Sequence, residues 1–181
     1  MMDMKQGIFA ATAPVIVRKA GHEDKPQLIR MLKAQMEEHD ISISEKEISF
    51  AVDGLIACPD KGALLVALCG DLMLGVACLS YIWTIENGGK SAWLQELYVL
   101  PAFRNQGAGQ QLLSAASVIA TANGCSAIDL EVEFSHGRVE NLYQRNGFRQ
   151  HTRKRWVKEL HQASSLLSAD AAEDCGLESI F

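Results

Sequence analysis

The chain has 181 residues, 48% of them hydrophobic and 22% charged, with a net charge of −5. That length suits one domain that buries its own core without disulfides or metal. An acidic balance with no long basic stripe excludes an ordinary nucleic-acid footprint, and the longest apolar run, 72–83, is too short to cross a bilayer.

The N-terminal stretch 1–13 ends in GIFAATA. Its A-x-A follows a very short apolar core, and Asp3 offsets Lys5, so it reads as an extension rather than an export signal. PVIVRKA (14–20) alternates and predicts a strand. HEDKPQLIRMLKAQMEEHD (22–40) places Leu28, Met31, Leu32, Gln35 and Met36 at helical spacing, with Asp24 as the cap and Pro26 in the first turn. SEKEISFAVDGLIACPD (44–60) predicts a second helix, opened by a Ser44–Glu47 capping box and ended by Cys58-Pro59.

Residues 63–83 read as two strands about a Gly70-Asp71 turn, apolar on both faces and therefore covered on both sides. Gly88-Gly89 turns the chain again, and SAWLQELYVL (91–100) returns antiparallel. RNQGAG (104–109) leads into a helix over 107–123 that Asn123-Gly124 stops. AIDLEVEF (127–134) predicts a strand, GRVENLYQRNGF (137–148) a helix, and QHTRKRWVKEL (150–160) a last strand. The order β α α β β β α β α β describes a mixed sheet with helices packed on it, a domain over 14–160. Residues 161–181 form an acidic tail with four carboxylates in 163–181 and no Lys or Arg, whereas 136–160 carries a local charge of +5.

The five cysteines are scattered with no C-x-x-C. They predict buried thiols in a reducing compartment, hence a cytoplasmic protein. The five histidines are isolated from one another, so no metal site is expected.

RNQGAG raises the first chemical expectation. A helix N-terminus leaves main-chain N–H groups unpaired and carries partial positive charge, so it accepts an anion. Gly107 and Gly109 let a phosphate approach the backbone, and Arg104 can add a charge-assisted contact. A plain glycine-containing strand–helix connection is the alternative. A Walker loop fails because no Lys follows Gly109. A dinucleotide fingerprint fails because position 112 is Leu and the preceding strands meander.

ELYVLPAFRNQGAGQQLL, followed by a helix, a strand and RVENLYQRNGF, strongly resembles the GCN5-related N-acetyltransferase (GNAT) family. That pattern is a strand ending in V-x-P, then [RQ]-x-x-G-x-[GA], and later L-Y-x-x-x-G-F. Arg104, Gly107 and Gly109 match the first motif; Leu142, Tyr143, Gly147 and Phe148 match the second. The resemblance implies the GNAT α/β fold, a mostly antiparallel mixed sheet of six to seven strands flanked by about four helices. It implies acetyl-CoA as co-substrate and no metal. Leu97, Tyr98 and Val99 would pair with the pantetheine arm as an added strand does, beside a bulge in their strand. The N–H groups of Asn105, Gln106, Gly107, Ala108, Gly109 and Gln110 would hold the pyrophosphate. His136 stands where the family usually has Asn, as a further cofactor contact.

Tyr143 is the expected acid, protonating the departing thiolate, and Glu96 the expected base. Strand alternation places Glu96 and Tyr98 on one face and Gln95, Leu97 and Val99 on the other. Asp129, Glu131 and Glu133 share one strand face, either as solvated charge or as a wall of an amine pocket. Glu37, Glu38 and Asp40 close the first helix, where carboxylates oppose the dipole, which hints at a nearby cation. The expected activity is direct transfer of acetyl to a primary amine on a small molecule. The ELYV segment and acidic helix end lean toward the diamine and polyamine branch. A non-catalytic acyl-CoA-binding module is the alternative, and a homodimer is left open.

Overall fold

A computed structural model describes residues 14–132, 137–153 and 155–158. The order is β1 (Ile16–Lys19), α1 (Lys25–Glu38), α2 (Glu45–Ala57), β2 (Gly62–Cys69), β3 (Leu72–Thr84), β4 (Gly89–Val99), α3 (Ala108–Ala122), β5 (Ile128–Leu130) and α4 (Gly137–Arg145), with single 3-10 turns before α1 and after β4. The strands form one sheet in the order β1-β2-β3-β4-β5. Neighbours are antiparallel except β4 and β5, which run parallel.

The doubly apolar strands are buried on both faces, as their composition requires. On one face Leu28, Met31, Leu32, Ile48 and Val52 of α1 and α2 pack on Leu64, Val66, Met73 and Val76. On the other, Leu112, Leu113, Ala116 and Ala120 of α3 pack on Leu65, Ala67, Ala77, Leu79 and Leu94. Each fully buried leucine here is worth about 1.5–3 kcal/mol.

The capping box of α2 forms as its spacing predicts: Ser44 Oγ accepts from the Glu47 amide at 3.3 Å and Glu47 Oε2 accepts from the Ser44 amide at 2.8 Å. Asp24 behaves differently. It makes no cap bond to α1; its carboxylate accepts from Arg18 at 2.6 and 2.9 Å and from the Gly21 amide at 2.8 Å. The Arg18 bond holds this buried carboxyl below its usual range, against the opposing effect of burial. Asp24 thus ties β1 to the start of α1.

Two strand expectations need correction. The sheet of the described residues has five strands, not six to seven. The strand expected over 150–160 makes no ladder in its described part. Side chains hold that segment instead: Arg153 donates to both Glu86 oxygens at 2.5 and 2.8 Å, and Arg155 donates to Glu131 at 2.5 Å and lies over the Trp93 ring. Its described part is held by charge contacts and not by main-chain pairing. Cys69, Cys78 and Cys125 are not in disulfides; Cys58 departs from that expectation, being disulfide-bonded. Residues 1–13 and the tail 161–181 lie outside the described residues.

Candidate active site

The site begins with a strand that outruns its neighbour. Pairing of β4 with β5 covers Ala92–Ile128, Trp93–Asp129 and Leu94–Leu130 and stops there, whereas β4 continues to Val99. From Gln95 onward one edge of β4 has no strand partner among the described residues. A bulge marks the point of parting: Cys78 pairs with Glu96 while Leu79 pairs with Leu94, leaving Gln95 as the extra residue. The Leu100 amide donates to Leu74 of β3 at 2.9 Å. By alternation the main-chain groups of Leu97 and Val99 turn to the open edge, and those of Tyr98 turn to β3.

The bulge also corrects a side-chain placement. Glu96 and Tyr98 do share the α1 face, but Gln95 joins them rather than Leu97. Its Oε1 accepts from the Cys78 thiol at 3.3 Å, and Cys78 belongs to the α1 cluster. Simple alternation fails where two residues oppose one.

At the end of β4 the chain prepares a helix opening. Asn105 (φ 61°) and Gly107 (φ 90°) are left-handed, and α3 begins at Ala108 with no side-chain cap and no acidic residue in its first turn. The amides of Asn105, Gln106 and Gly107 find no acceptor among the described residues. A Cβ at Gly109 would meet only ordinary contacts, Val99 Cγ2 at 3.7 Å and Leu142 Cδ2 at 3.9 Å. Packing therefore does not demand glycine there, and the missing side chain leaves the helix opening accessible. The side chains of Gln110 and Asn146 exchange two hydrogen bonds, at 2.6 and 2.9 Å, fastening this opening to α4.

Arg104 does not point into that opening. Its Nε donates to the Val99 carbonyl at 2.8 Å and its Nη2 to both Glu38 oxygens at 3.0 and 2.7 Å, and it lies over the Tyr98 ring. Tyr98, 5% exposed, donates to the same carboxylate at 2.7 Å. Burial and the Glu38 bond push the Tyr98 phenol up to about 12, so it remains a donor. At the acidic end of α1, Arg104 of the same chain is the cation that meets Glu38. Just after β5 the carboxylate of Glu131 is likewise met from within, by Arg155. Glu133 and His136 lie outside the described residues.

Glu96 sits at the bulge, facing the last turn of α1. Gln35 Nε2 donates to its Oε2 at 2.5 Å. Burial raises the Glu96 carboxyl above its usual range, while His39 and the Gln35 bond pull the other way. Tyr143, in α4, packs with the cluster on the other face and sets its ring edge-on to Phe148, centroids 5.7 Å apart. Burial raises its phenol, which therefore stays protonated at neutral pH. The carboxyl of Glu96 thus faces α1 on one side of β4, and the protonated phenol of Tyr143 packs with the cluster on the opposite side.

Sequence reasoning did not assign Gln35 a role. The available signal was a polar residue within the apolar stripe of α1. Among the described residues no group of three or more His, Cys, Asp or Glu is placed to hold a metal ion. None of their helices is long and apolar enough to cross a membrane.

Comparison with known proteins fits this geometry. The acetyltransferase (GNAT) family model matches residues 27–148. The thialysine N-epsilon-acetyltransferase of Mus musculus is 27% identical over 139 residues, covering 71% of this chain and 80% of that protein. An integron cassette protein from the mobile metagenome of Cole Harbour Salt Marsh superposes with a TM-score of 0.72 at 23% identity, covering 81% of this chain and 91% of the other. An aminoglycoside N-acetyltransferase in complex with CoA superposes with a TM-score of 0.71 at 19% identity, covering 81% and 95%. The two structural likenesses bear on the fold.

Proposed function

This chain belongs to the GNAT acetyltransferase family and is an acetyl-CoA-dependent N-acetyltransferase; from that premise we propose that it moves acetyl directly to a primary amine on a small molecule, with Glu96 as base and Tyr143 as acid. The observation that carries the reading is the open edge of β4 running straight into the uncapped opening of α3. An extended pantetheine arm would pair with Leu97 and Val99, and the diphosphate would meet the amides of residues 105–110. Tyr98 contributes through its position between Glu38 and Arg104, since its main chain serves β3. Arg104, held by Glu38, shapes the turn and supplies positive charge beside it.

Only a neutral amine attacks. A lysine-like amine with a pKa of about 10.4 is roughly 0.1% neutral near physiological pH, a handicap of about 4 kcal/mol. Glu96, made more basic by burial, accepts the proton directly or through one water. The nitrogen lone pair adds to the thioester carbonyl, the C–S bond breaks, and the departing thiolate takes its proton from Tyr143. The second proton of the nitrogen, shed as the amide forms, returns through water to the Tyr143 phenolate, and Glu96 releases the first to solvent, so one proton is released per turnover. No acyl-enzyme is formed.

The acceptor class we favour is a small aliphatic amine of the thialysine or polyamine kind. The mouse relative, which covers most of both chains, supports that choice. The test is thiol release from acetyl-CoA over diamines, polyamines, thialysine, free amino acids, aminoglycosides and a peptide N-terminus. Turnover fastest on aliphatic amines supports the reading. Fastest turnover on an aminoglycoside or peptide moves the acceptor class, and CoA binding without turnover on any amine indicates a non-catalytic module.

A further inference from the structure

Gln35 lies in the apolar stripe of α1 and is 4% exposed, yet it carries an amide. Its Nε2 donates to Oε2 of Glu96 at 2.5 Å, across 61 residues of sequence. Its own Oε1 is buried and has no donor among the described residues. A buried carbonyl left unmet is destabilising. A methionine of the same length would fill this site beside Leu28, Met31 and Leu32 without that penalty. Packing of α1 on the sheet therefore does not account for the amide. What the amide does, and an apolar side chain cannot, is bond Glu96.

We propose that Gln35 is a positioning residue for acetyl transfer: its Nε2–H fixes the Glu96 carboxylate in one orientation at the β4 bulge, leaving Oε1 of Glu96 to take the amine's proton. No described residue donates to that second oxygen. The geometry gives the pairing a fixed frame. Gln35, Glu38 and His39 occupy one face of the last turn of α1, and the first two bond Glu96 and Tyr98, two residues apart on β4. Glu38 in turn is held by Arg104. The rotamer of Glu96 is thus set by a helix anchored at its next turn. This inference rests on the reading of Glu96 as the base.

The donor also acts on the charge of Glu96, since a hydrogen bond to the ionised form favours it. The other groups facing Glu96 are His39 at the end of α1, which favours the carboxylate, and Cys78 on β3, a thiol pushed up to about 12 by burial and so uncharged. Removing the Gln35 donor leaves burial less opposed, so the acidic limb of the rate profile moves to higher pH.

The experiment measures kcat against pH, at saturating acetyl-CoA and with the fastest acceptor of the amine panel. It uses the full chain and the variants Glu96→Gln, Gln35→Met and Gln35→Glu. CoA affinity by calorimetry reports folding of each. Glu96→Gln is expected to abolish the acidic limb. Gln35→Met is expected to move that limb to higher pH and to lower kcat at neutral pH on the order of 10-fold, with CoA affinity unchanged. Gln35→Glu, which keeps the shape of glutamine, is expected to move the limb further, because a second carboxylate opposes ionisation of the first. If Gln35→Met fails to bind CoA, Gln35→Glu decides. A limb that Glu96→Gln abolishes but neither Gln35 variant moves overturns the role of Gln35 and leaves the base in place. A limb that survives Glu96→Gln overturns the base and the inference together.

Discussion

Arg104 Nη2 lies 3.0 and 2.7 Å from the two carboxylate oxygens of Glu38, a residue 66 positions earlier in the chain. This pair ties the end of α1 to the turn that opens α3, with Tyr98 donating to the same carboxylate. Burial works to raise the Glu38 carboxyl, but the bonds from Tyr98 and Arg104 together outweigh it, and the group is held below its ordinary value of 4.5. A depressed folded value stabilises the protein above the unfolded value and loses that contribution as pH falls through the lower, folded one. Glu38→Gln is therefore expected to reduce stability at neutral pH by about 1 kcal/mol, discounted because both partners are partly solvated. It is also expected to flatten the acid side of the Tm-versus-pH curve, in thermal melts from neutral to about pH 3.

Tyr143→Phe removes one hydroxyl from a ring whose packing against Phe148 and the α3 cluster is apolar. Turnover should fall by roughly 10²-fold or more, as for loss of a general acid, while CoA affinity stays within about twofold. Steady-state rates together with calorimetry check both parts. Unchanged turnover removes Tyr143 from the mechanism.

Glu96→Gln should abolish the acidic limb of the rate profile. Because burial raises this carboxyl, the wild-type limb lies above the range of a solvated glutamate. A profile identical to wild type assigns proton removal to another group.

Gly107 sits at φ 90° with open space where a Cβ would go, so the obstacle to a side chain is the left-handed backbone and not a clash. Gly107→Ala is expected to cost about 1–2 kcal/mol and to weaken CoA binding, because relaxing φ re-aims the amides that open α3. Denaturant melts and calorimetry on the same preparation separate the two effects.

Much of this was legible because local chemistry dictated it. The Ser44–Glu47 box, the Gly70-Asp71 turn and the glycines of RNQGAG act over a few residues, and each appears where the sequence places it. What escaped is non-local. Asp24 has the chemistry of a cap but is claimed by Arg18. The stretch 150–160 reads as a last strand, yet in its described part Glu86 and Glu131 hold Arg153 and Arg155 while the main chain makes no ladder. Gln95 changes face because register with β3 slips by one residue, which no period-two reading of β4 alone contains. Gln35 reads by period alone as one more position of an apolar stripe, and only the fold puts Glu96 opposite it.

The central claim is that main-chain amides at the opening of α3 grip the diphosphate of coenzyme A. Calorimetry comparing CoA with pantetheine, which lacks the diphosphate and the nucleotide, tests it most directly on wild type and Gly107→Ala. The account predicts that wild type binds CoA at least about 100-fold more tightly than pantetheine, given several charge-assisted bonds, and that Gly107→Ala erodes CoA binding while leaving pantetheine nearly unchanged. Equal affinity of wild type for the two ligands, or an equal loss for both in the variant, would contradict it.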